Sequence, residues 1–222
     1  MTDVRHRHSG GGQQPSVPCR GIGFVCLTLL LLAGLGACGP SAPALPPLAD
    51  DAVILAFGDS LTHGTGANDG ESYPAVLTRL TGREAINAGV PGELSAAGRE
   101  RLPGLLARHS PDLLILCHGG NDILRARNRQ DTAANLRAMI RAARDKSVPV
   151  VLIGVPERGL WLESAQLYSQ LAEEFALPLE AEVLPRILGD ASLKSDSIHP
   201  NAQGYRQIAE AIHRLLRDAG AL

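Results

Sequence analysis

Short apolar runs that alternate with longer amphipathic segments constrain the fold of this chain more than any other feature. The apolar runs lie at residues 52–57, 84–87, 112–117, 149–153 and 178–181. Strands of a parallel sheet are buried on both faces, so they stand out in a sequence as short apolar runs separated by helical segments. The alternation predicts an α/β fold, a three-layer α/β/α sandwich around a five-stranded parallel sheet.

The segments between these runs carry apolar residues at the three- and four-residue spacing of helices. The predicted helices span about residues 73–81, 95–109, 132–145, 162–175 and 202–217. In the last of them, Ile208, Ala211, Ile212 and Leu215 form one apolar face. The chain therefore has enough helix to cover both faces of the predicted sheet.

Four residues with catalytic potential follow the predicted strands. Ser60 comes after the first strand, Gly92 after the second and Asn121 after the third, whereas His199 lies in the loop after the last strand. Ligands of open parallel sheets bind beyond the carboxyl ends of the strands. We therefore expect these four residues to converge at one edge of the sheet.

Ser60, Asp196 and His199 are the residue types that acyl transfer requires. A weakly nucleophilic hydroxyl needs a base to take its proton and a carboxylate to orient that base. We interpret Ser60 as the nucleophile, His199 as the base and Asp196 as the acceptor of the His199 Nδ1–H. The alternatives are that Ser60 is a helix N-cap, and that the Asp-x-x-His spacing occurs in a loop by chance.

A developing oxyanion needs hydrogen-bond donors, and three candidates are present. They are the backbone N–H of Ser60, the N–H of a glycine, either Gly89 or Gly92, and the side-chain amide of Asn121. Glycine suits the second position because it lacks a Cβ that would obstruct the substrate. The alternative for Asn121 is a turn asparagine, and we expect the neighbouring Asp59 and Asp122 to brace their loops.

Four segments in chain order resemble the SGNH, or GDSL, hydrolase family. They are Gly58-Asp59-Ser60-Leu61, Gly89-Val90-Pro91-Gly92, Gly120-Asn121-Asp122 and Asp196-Ser197-Ile198-His199-Pro200-Asn201. The resemblance covers roughly residues 52–217 and is greatest to the bacterial periplasmic arylesterase, thioesterase and lysophospholipase subgroup. It implies a flavodoxin-like strand order 2-1-3-4-5, a catalytic triad of Ser60, Asp196 and His199, and oxyanion donors at Ser60, Gly92 and Asn121. Gly89 is then a turn residue.

The same resemblance implies where the substrate binds. Ile123, Leu124 and Arg125 match a substrate loop of the thioesterase-like relatives in position, and Val155 follows the fourth strand, where it can wall an acyl pocket. The sequence departs from these relatives in both stretches, so chain-length preference and the choice between ester and thioester stay open. We expect His63 and His118 to line the site.

Residues 1–37 have the composition of a bacterial signal peptide. Arg5, Arg7 and Arg20 precede the apolar stretch 21–37, which is shorter than the span of about 20 residues that crosses a membrane. Leu35-Gly36-Ala37-Cys38 resembles a lipobox, which implies cleavage before Cys38 and lipidation of that cysteine. The alternatives are an ordinary signal peptide cut near Ala37, or an uncleaved anchor.

The remaining chain is predicted to comprise a tether and one domain. Residues 39–50 contain four prolines, so we expect 38–50 to form a semi-extended tether and 51–222 to form the hydrolase domain. Without residues 1–37 the chain has 18 Lys and Arg against 22 Asp and Glu, a formal charge of about −4, which disfavours nucleic-acid binding. Cys117 is then the one cysteine without lipid, and we expect it to be buried.

These observations predict a serine esterase that is held by its lipid on the periplasmic side of a bacterial membrane. Gly39 after the lipidated cysteine favours the outer membrane. The expected substrates are small to medium acyl or aryl esters, thioesters or lysophospholipids, with an acyl-enzyme intermediate and without a cofactor or metal. The alternatives are an envelope carbohydrate O-deacetylase, a non-catalytic envelope lipoprotein, and a metal-dependent phosphoesterase that uses Asp59, Asp122, Asp196 and His199.

Overall fold

A parallel sheet lies at the centre of the domain in this computed structural model, which describes residues 10–11, 43–157 and 162–222. Its five strands are β1 Val53–Gly58, β2 Glu84–Gly89, β3 Leu113–Cys117, β4 Val150–Ile153 and β5 Leu179–Glu180. They are ordered β2-β1-β3-β4-β5, and each neighbouring pair is parallel. The predicted fold class and strand order are confirmed.

The chain divides into two units, Met1–Pro40 and Ser41–Leu222. Within the first unit the structure describes only Gly10 and Gly11, which are exposed. The rest of the predicted signal peptide, residues 1–37, and the predicted lipidation site Cys38 lie outside the described residues.

Helices cover the sheet and also follow several strand ends directly. They are α1 Ser60–His63, α2 Tyr73–Thr81, α3 Ser95–His109, α4 Gly120–Leu124, α5 Arg129–Arg144, α6 Gln166–Phe175, α7 Val183–Gly189 and α8 Ala202–Asp218, with a 3₁₀ helix at Ala191–Leu193. None of the helices within the described ranges is long and apolar enough to span a bilayer. The short helices α1, α4 and α7 were not predicted, because fewer than two helical turns leave no readable periodicity.

Two predicted helix starts are corrected by local hydrogen bonds. Helix α5 begins before the predicted residue 132, because the Asn128 side chain caps it by accepting from the N–H of Gln130 and Asp131. Helix α6 begins after the predicted residue 162, because Ser164 pairs with Pro156 in an antiparallel bridge. The spacing of apolar residues shows neither a helix cap nor a bridge between two loop residues, so it could not give either helix start to the residue.

The register of the sheet brings three strand ends level with one another. Gly58 at the end of β1 pairs with Gly89 of β2 and with Cys117 of β3. A Cβ on Gly58 would lie 2.0 Å from the Cys117 carbonyl oxygen and 2.3 Å from Thr62 Oγ1, so only glycine allows this close approach. The segments that leave these strands therefore start at the same edge of the sheet.

Part of the predicted tether belongs to the domain. The Leu45 and Leu48 N–H groups donate to the carbonyl oxygens of Ala219 and Ala221, and Leu48 is buried in the hydrophobic core. Arg83 donates to the Leu48 carbonyl oxygen at 2.9 Å. The predicted domain boundary at residue 51 is therefore too late, because residues 43–50 pack against the chain's C-terminal residues.

Candidate active site

Ser60 occupies the first turn of α1, directly after β1. The N-cap of α1 is Asp59 and not Ser60, since Asp59 Oδ1 accepts from the Leu61 N–H at 3.1 Å. This arrangement leaves the Ser60 hydroxyl free of the capping role that the alternative interpretation assigned to it. Tyr205 on α8 braces the same turn, because its hydroxyl donates to the Thr65 carbonyl oxygen at 2.8 Å.

The structure brings Ser60, His199 and Asp196 together. His199 Nε2 lies 3.0 Å from Ser60 Oγ, and His199 Nδ1 lies 2.7 Å from Asp196 Oδ2. If Nδ1–H donates to the carboxylate, Nε2 presents its lone pair to the serine hydroxyl. The arrangement has the geometry of a nucleophile, a base and an orienting acid.

Asp196 is itself held by the loop that carries His199. Its Oδ1 accepts from the backbone N–H groups of Ile198 and His199, each at 2.8 Å. The hydrogen bond from the His199 ring lowers the pKa of Asp196 below its usual value, and the two backbone bonds act in the same direction although burial opposes them. Asp196 is therefore kept ionised as an acceptor for the imidazole.

The start of α8 anchors the histidine loop. Asn201 caps the helix by accepting from the Gly204 N–H at 3.0 Å, and its Nδ2 donates to the Ser192 carbonyl oxygen at 2.8 Å. Lys194 and Pro200 pair in an antiparallel bridge on the other side of His199. The imidazole is thus carried by a loop that is tied at both ends.

Asn121 lies in α4 and lines the same pocket as Ser60. Its Nδ2 donates to Asp59 Oδ2 at 3.2 Å, which uses one of the two amide hydrogens. The second amide hydrogen is the one that the oxyanion hypothesis requires. The neighbouring Asp122 has a different contact. Its carboxylate accepts from the Ser95 N–H at 2.8 Å and from Ser95 Oγ at 2.7 Å, so it ties α4 to the start of α3.

Gly92 lies in the loop after β2 with φ +77°, a conformation that favours glycine. It is not among the residues that line the pocket, and its carbonyl oxygen accepts from Arg125 Nη2 at 3.3 Å. Gly89 is the last residue of β2 and not a turn residue as predicted. A Cβ on Gly89 would lie 2.1 Å from the His63 nitrogen, so Gly89 lets α1 pack against β2.

An apolar pocket of about 60 Å³ adjoins the Ser60 hydroxyl. It is lined by Asp59, Ser60, Leu61, Gly120, Asn121, Ile123, Leu124, Val155, Pro156, Leu188, Ile198 and His199. Ile123, Leu124 and Val155, three of the predicted substrate contacts, are among these lining residues. Arg125 was predicted to bind substrate, but it lies beside Gly92 and outside the lining, since it is exposed at the end of α4.

Sequence reasoning missed Leu188 and Ile198 as pocket residues. Leu188 lies on the unpredicted helix α7, and Ile198 is the residue before His199, an exposed apolar side chain in a polar loop. The second position offered a signal in the sequence, because Ile198 is the one apolar residue in the polar segment Asp196-Ser197-Ile198-His199.

His63 and His118 do not line the pocket, contrary to expectation. His118 is fully buried behind the site, where its ring stacks on Phe57 at 5.7 Å between centroids. Cys117 is buried beside it, and burial raises the pKa of its thiol well above the usual value. A buried thiol of raised pKa is a poor nucleophile.

The four residues of the metal-dependent alternative do not gather into one group. Across residues 43–157 and 162–222, no three His, Cys, Asp or Glu side chains are arranged to hold a metal ion. Asp59 is buried between Leu61 and Asn121, and burial raises its pKa although both hydrogen bonds oppose the shift. Asp59 and Asp122 thus act on neighbouring protein groups, as the loop-support interpretation expected.

The fold is a three-layer α/β/α sandwich, and the site pairs a serine hydroxyl with a histidine, which is the arrangement of a serine hydrolase. The GDSL-like lipase/acylhydrolase family matches residues 56–207, which is more than half of the chain. The chain therefore belongs to this family and is a carboxylic ester hydrolase, a GDSL serine esterase.

Individual relatives agree with this assignment. The chain is 30% identical over 176 residues to Thioesterase 1/protease 1/lysophospholipase L1 of Escherichia coli K12, covering 74% of this chain and 83% of that protein. It is 29% identical over 175 residues to Esterase TesA of Pseudomonas aeruginosa, covering 74% and 87%. The crystal structure of AlinE4, an SGNH-hydrolase family esterase, superposes with a TM-score of 0.58 at 31% identity, covering 78% and 98%.

Proposed function

We propose that this esterase hydrolyses small to medium acyl and aryl esters through an acyl-enzyme on Ser60. The observation that carries the proposal is the hydrogen-bonded series Ser60 Oγ, His199 and Asp196, at 3.0 Å and 2.7 Å, beside an apolar pocket. A hydroxyl in this setting can lose its proton to Nε2 as it attacks a carbonyl carbon. Asp196 then stabilises the imidazolium that forms.

The reaction has two halves. Ser60 Oγ adds to the ester carbonyl, and His199 carries the serine proton to the leaving alcohol oxygen as the tetrahedral intermediate collapses. Water then attacks the acyl-enzyme, loses its proton to His199, and releases the acid while Ser60 regains its hydrogen. In both halves the oxyanion is assigned to the N–H of Ser60, the N–H of Gly92 and Nδ2 of Asn121.

The pocket supports an acyl group of modest length. Its volume is small, and Ile123, Leu124, Val155, Leu188 and Ile198 give it an apolar wall. Thioesters and lysophospholipids are included as candidate substrates because the Escherichia coli relative is described as a thioesterase and lysophospholipase. The lining residues in the described part of the chain include no Phe, Tyr or Trp, so the pocket offers a carbohydrate no large aromatic ring on which to stack.

Ser60→Ala tests the mechanism. The variant should keep its fold but lose ester turnover by several orders of magnitude, and a fluorophosphonate should label Ser60 of the parent protein. Ser169→Ala is the matched control, because Ser169 is an exposed serine on α6 whose hydroxyl bonds only within its helix. Turnover by Ser60→Ala at the parent rate would refute the proposal.

A substrate panel tests the specificity. p-Nitrophenyl esters of rising chain length should show the highest kcat/KM with short acyl chains, since the pocket is small. Acyl-CoA and lysophospholipid in the same panel decide between ester, thioester and phospholipid chemistry. A maximum with long chains would contradict the assignment of this pocket to the acyl group.

We also propose that the enzyme is a lipoprotein of the bacterial envelope, anchored through Cys38 and facing the periplasm. The support is the sequence alone: a basic segment, an apolar stretch and Leu35-Gly36-Ala37-Cys38 in that order. Gly39 after the cysteine supports the outer membrane as the destination. The signal peptide at 1–37 belongs to the same proposal.

A further inference from the structure

Glu93 follows the proposed oxyanion donor Gly92 and is tied to Arg101 by two hydrogen bonds. Arg101 Nε donates to Glu93 Oε1 at 2.8 Å, and Nη2 donates to Oε2 at 2.6 Å. The Glu93 side chain is only 8% exposed. A carboxylate in this position costs free energy to bury, so the pairing with Arg101 is needed to keep it there.

Arg101 connects this carboxylate to the ends of two strands. Its Nη2 donates to the carbonyl oxygen of Ala88 in β2 at 3.1 Å and approaches that of Gly58 in β1 at 3.4 Å. Its guanidinium also lies 4.2 Å from the centroid of the Phe57 ring. Gly58 is two residues before Ser60, so the arginine links the loop of Gly92 to the segment that carries the nucleophile.

His118 connects the Glu93 carboxylate to the segment that carries Asn121, the third proposed oxyanion donor. Its Nε2 lies 3.0 Å from Glu93 Oε2, while the Gly119 N–H donates to its Nδ1 at 2.8 Å. The bond from Gly119 leaves Nδ1 as an acceptor, so Nε2 carries the hydrogen and donates it to Glu93. His118 is three residues before Asn121, at the start of the loop that leads to α4.

Glu93 is therefore linked to all three segments that carry a proposed oxyanion donor. It follows Gly92 directly, Arg101 links it to the end of β1 before Ser60, and His118 links it to the loop before Asn121. We propose that Glu93, together with Arg101 and His118, is a positioning unit that sets the distances between the Ser60, Gly92 and Asn121 donors. The proposal rests on the proposed function, since it assumes that these three groups hold the oxyanion. Donors must lie within a few tenths of an ångström of their productive positions, because displacement of about 1 Å can cost about 100-fold in rate.

Glu93→Gln tests the proposal, because glutamine has the size of glutamate but replaces one accepting carboxylate oxygen with an –NH2 group, which donates and cannot accept. The variant should lower kcat for a short p-nitrophenyl ester by about 10- to 100-fold, with little change in KM. Ser60 labelling by a fluorophosphonate should slow by a similar factor, because phosphonylation uses the same oxyanion donors. The shape of the pH–rate profile should not change, since His199 and Asp196 are untouched.

Glu174→Gln is the matched control. Glu174 on α6 is also held by an arginine at two points, by Arg137 at 2.8 Å and 2.7 Å, but it lies outside the pocket. This control should leave kcat and labelling unchanged. If Glu93→Gln does not fold, Arg101→Lys decides by the same measurements, because lysine keeps the charge but cannot make the two-point contact.

The outcomes separate this inference from the proposed function. Loss of turnover in Ser60→Ala together with a kcat of Glu93→Gln within about two-fold of the parent would overturn the positioning role alone. A fall in melting temperature without a fall in kcat, measured well below the melting point, would also overturn it. Full turnover by Ser60→Ala would instead refute the proposed function on which the inference rests.

Discussion

Asp59 shows how one buried side chain can serve two neighbours in an active site. Its Oδ1 accepts from the Leu61 N–H and so caps the helix that begins with Ser60, while Oδ2 accepts from Asn121 Nδ2. Burial raises the pKa of Asp59, whereas these bonds and the nearby histidines lower it. The residue before the proposed nucleophile therefore also orients the proposed side-chain donor to the oxyanion.

Asn121 and Asp122 are adjacent but should respond differently to truncation. Asn121→Ala removes the proposed side-chain donor to the oxyanion, so kcat should fall by about 100-fold with little change in KM. Its melting temperature should fall less than that of Asp122→Ala, because Asn121 gives Asp59 one hydrogen bond whereas Asp122 accepts two from Ser95. Asp122→Ala leaves the buried N–H and hydroxyl of Ser95 without their acceptor, so it should lower the free energy of unfolding by about 1–3 kcal/mol. Steady-state kinetics and thermal melts of both variants check this.

Asn128→Ala is a control of the same residue type, since Asn128 caps α5 outside the pocket. It should lower stability by about 1 kcal/mol and leave kcat unchanged. An Asn121→Ala variant that melts early but retains its kcat would make Asn121 a turn residue and remove it from the oxyanion site.

Short helices at the carboxyl edge of the sheet build most of the pocket. Helix α1 carries Ser60, helix α4 carries Asn121, and helix α7 contributes Leu188 to the apolar wall. Each has fewer than eight residues and is stabilised by packing and capping, since isolated helices of this length do not persist in water. Substrate preference should therefore respond to single changes on these helices.

Leu188→Ala should enlarge the pocket and shift the preference towards longer acyl chains. The ratio of kcat/KM for p-nitrophenyl octanoate over butyrate should rise about 10-fold, the lower end of the roughly 10- to 200-fold discrimination that one methylene makes in an apolar pocket. Leu80→Ala is the control, since Leu80 is an exposed leucine on α2 that does not line the pocket. An unchanged ratio in Leu188→Ala would show that the acyl chain lies elsewhere.

The contact between Arg101 on α3 and Glu93 in the loop after β2 should stabilise the fold in a pH-dependent way. Burial raises the pKa of Glu93, but hydrogen bonds from His118 and Arg101 outweigh it and lower the pKa from 4.5 to about 2. A carboxyl with a lowered folded-state pKa stabilises the fold above its unfolded pKa and loses this contribution as the pH falls through the folded pKa. The contribution of Glu93 should therefore be complete above about pH 4.5 and decline towards pH 2.

Melting temperatures of the parent protein and Glu93→Gln between about pH 6 and pH 3 measure this contribution. The parent should lose more stability than the variant across that range, since the other carboxyl groups titrate in both. Parallel curves would mean that Glu93 has the same pKa in the folded and unfolded chains.

At the scale of the whole molecule, residues 43–50 connect the hydrolase domain to the preceding part of the chain. Residues 43–50 run beside the C-terminal residues, with Leu48 buried and Leu45 bonded to Ala219. Hydrogen bonds between distant parts of the chain order a segment that its proline content predicted to be extended. The membrane proposal therefore concerns the residues before this docked segment.

Lipidation at Cys38 predicts that the protein extracted from cells partitions into detergent and carries a diacylglyceryl group on its N-terminal cysteine. Cys38→Ser should abolish both properties while esterase activity per molecule is unchanged, because Cys38 is outside the described domain. Cys26→Ser is the matched control, since this cysteine lies within the predicted signal peptide. Mass spectrometry of the mature N-terminus measures the result, and an unmodified first residue other than Cys38 would contradict the lipoprotein proposal.

The sequence by itself predicted the strands, the long helices and the residues that meet at the sheet edge. Buried parallel strands require continuous apolar runs, and long surface helices require a 3.6-residue period, so both leave a local record. The strand order came from the family resemblance and not from the residues alone. Ser60, Asp196 and His199 were singled out because acyl transfer demands these residue types after strand ends.

Only the tertiary structure decided the features that depend on contacts between distant residues. Glu93 meets His118 across 25 positions, Leu45 meets the C-terminus, and Arg125 turns towards Gly92 instead of the pocket. The periodic spacing of apolar residues predicts none of these contacts, because each joins residues that are distant in sequence and meet only in the folded chain. Local chemistry thus determined which residues could react, and packing of the whole chain decided which groups position them.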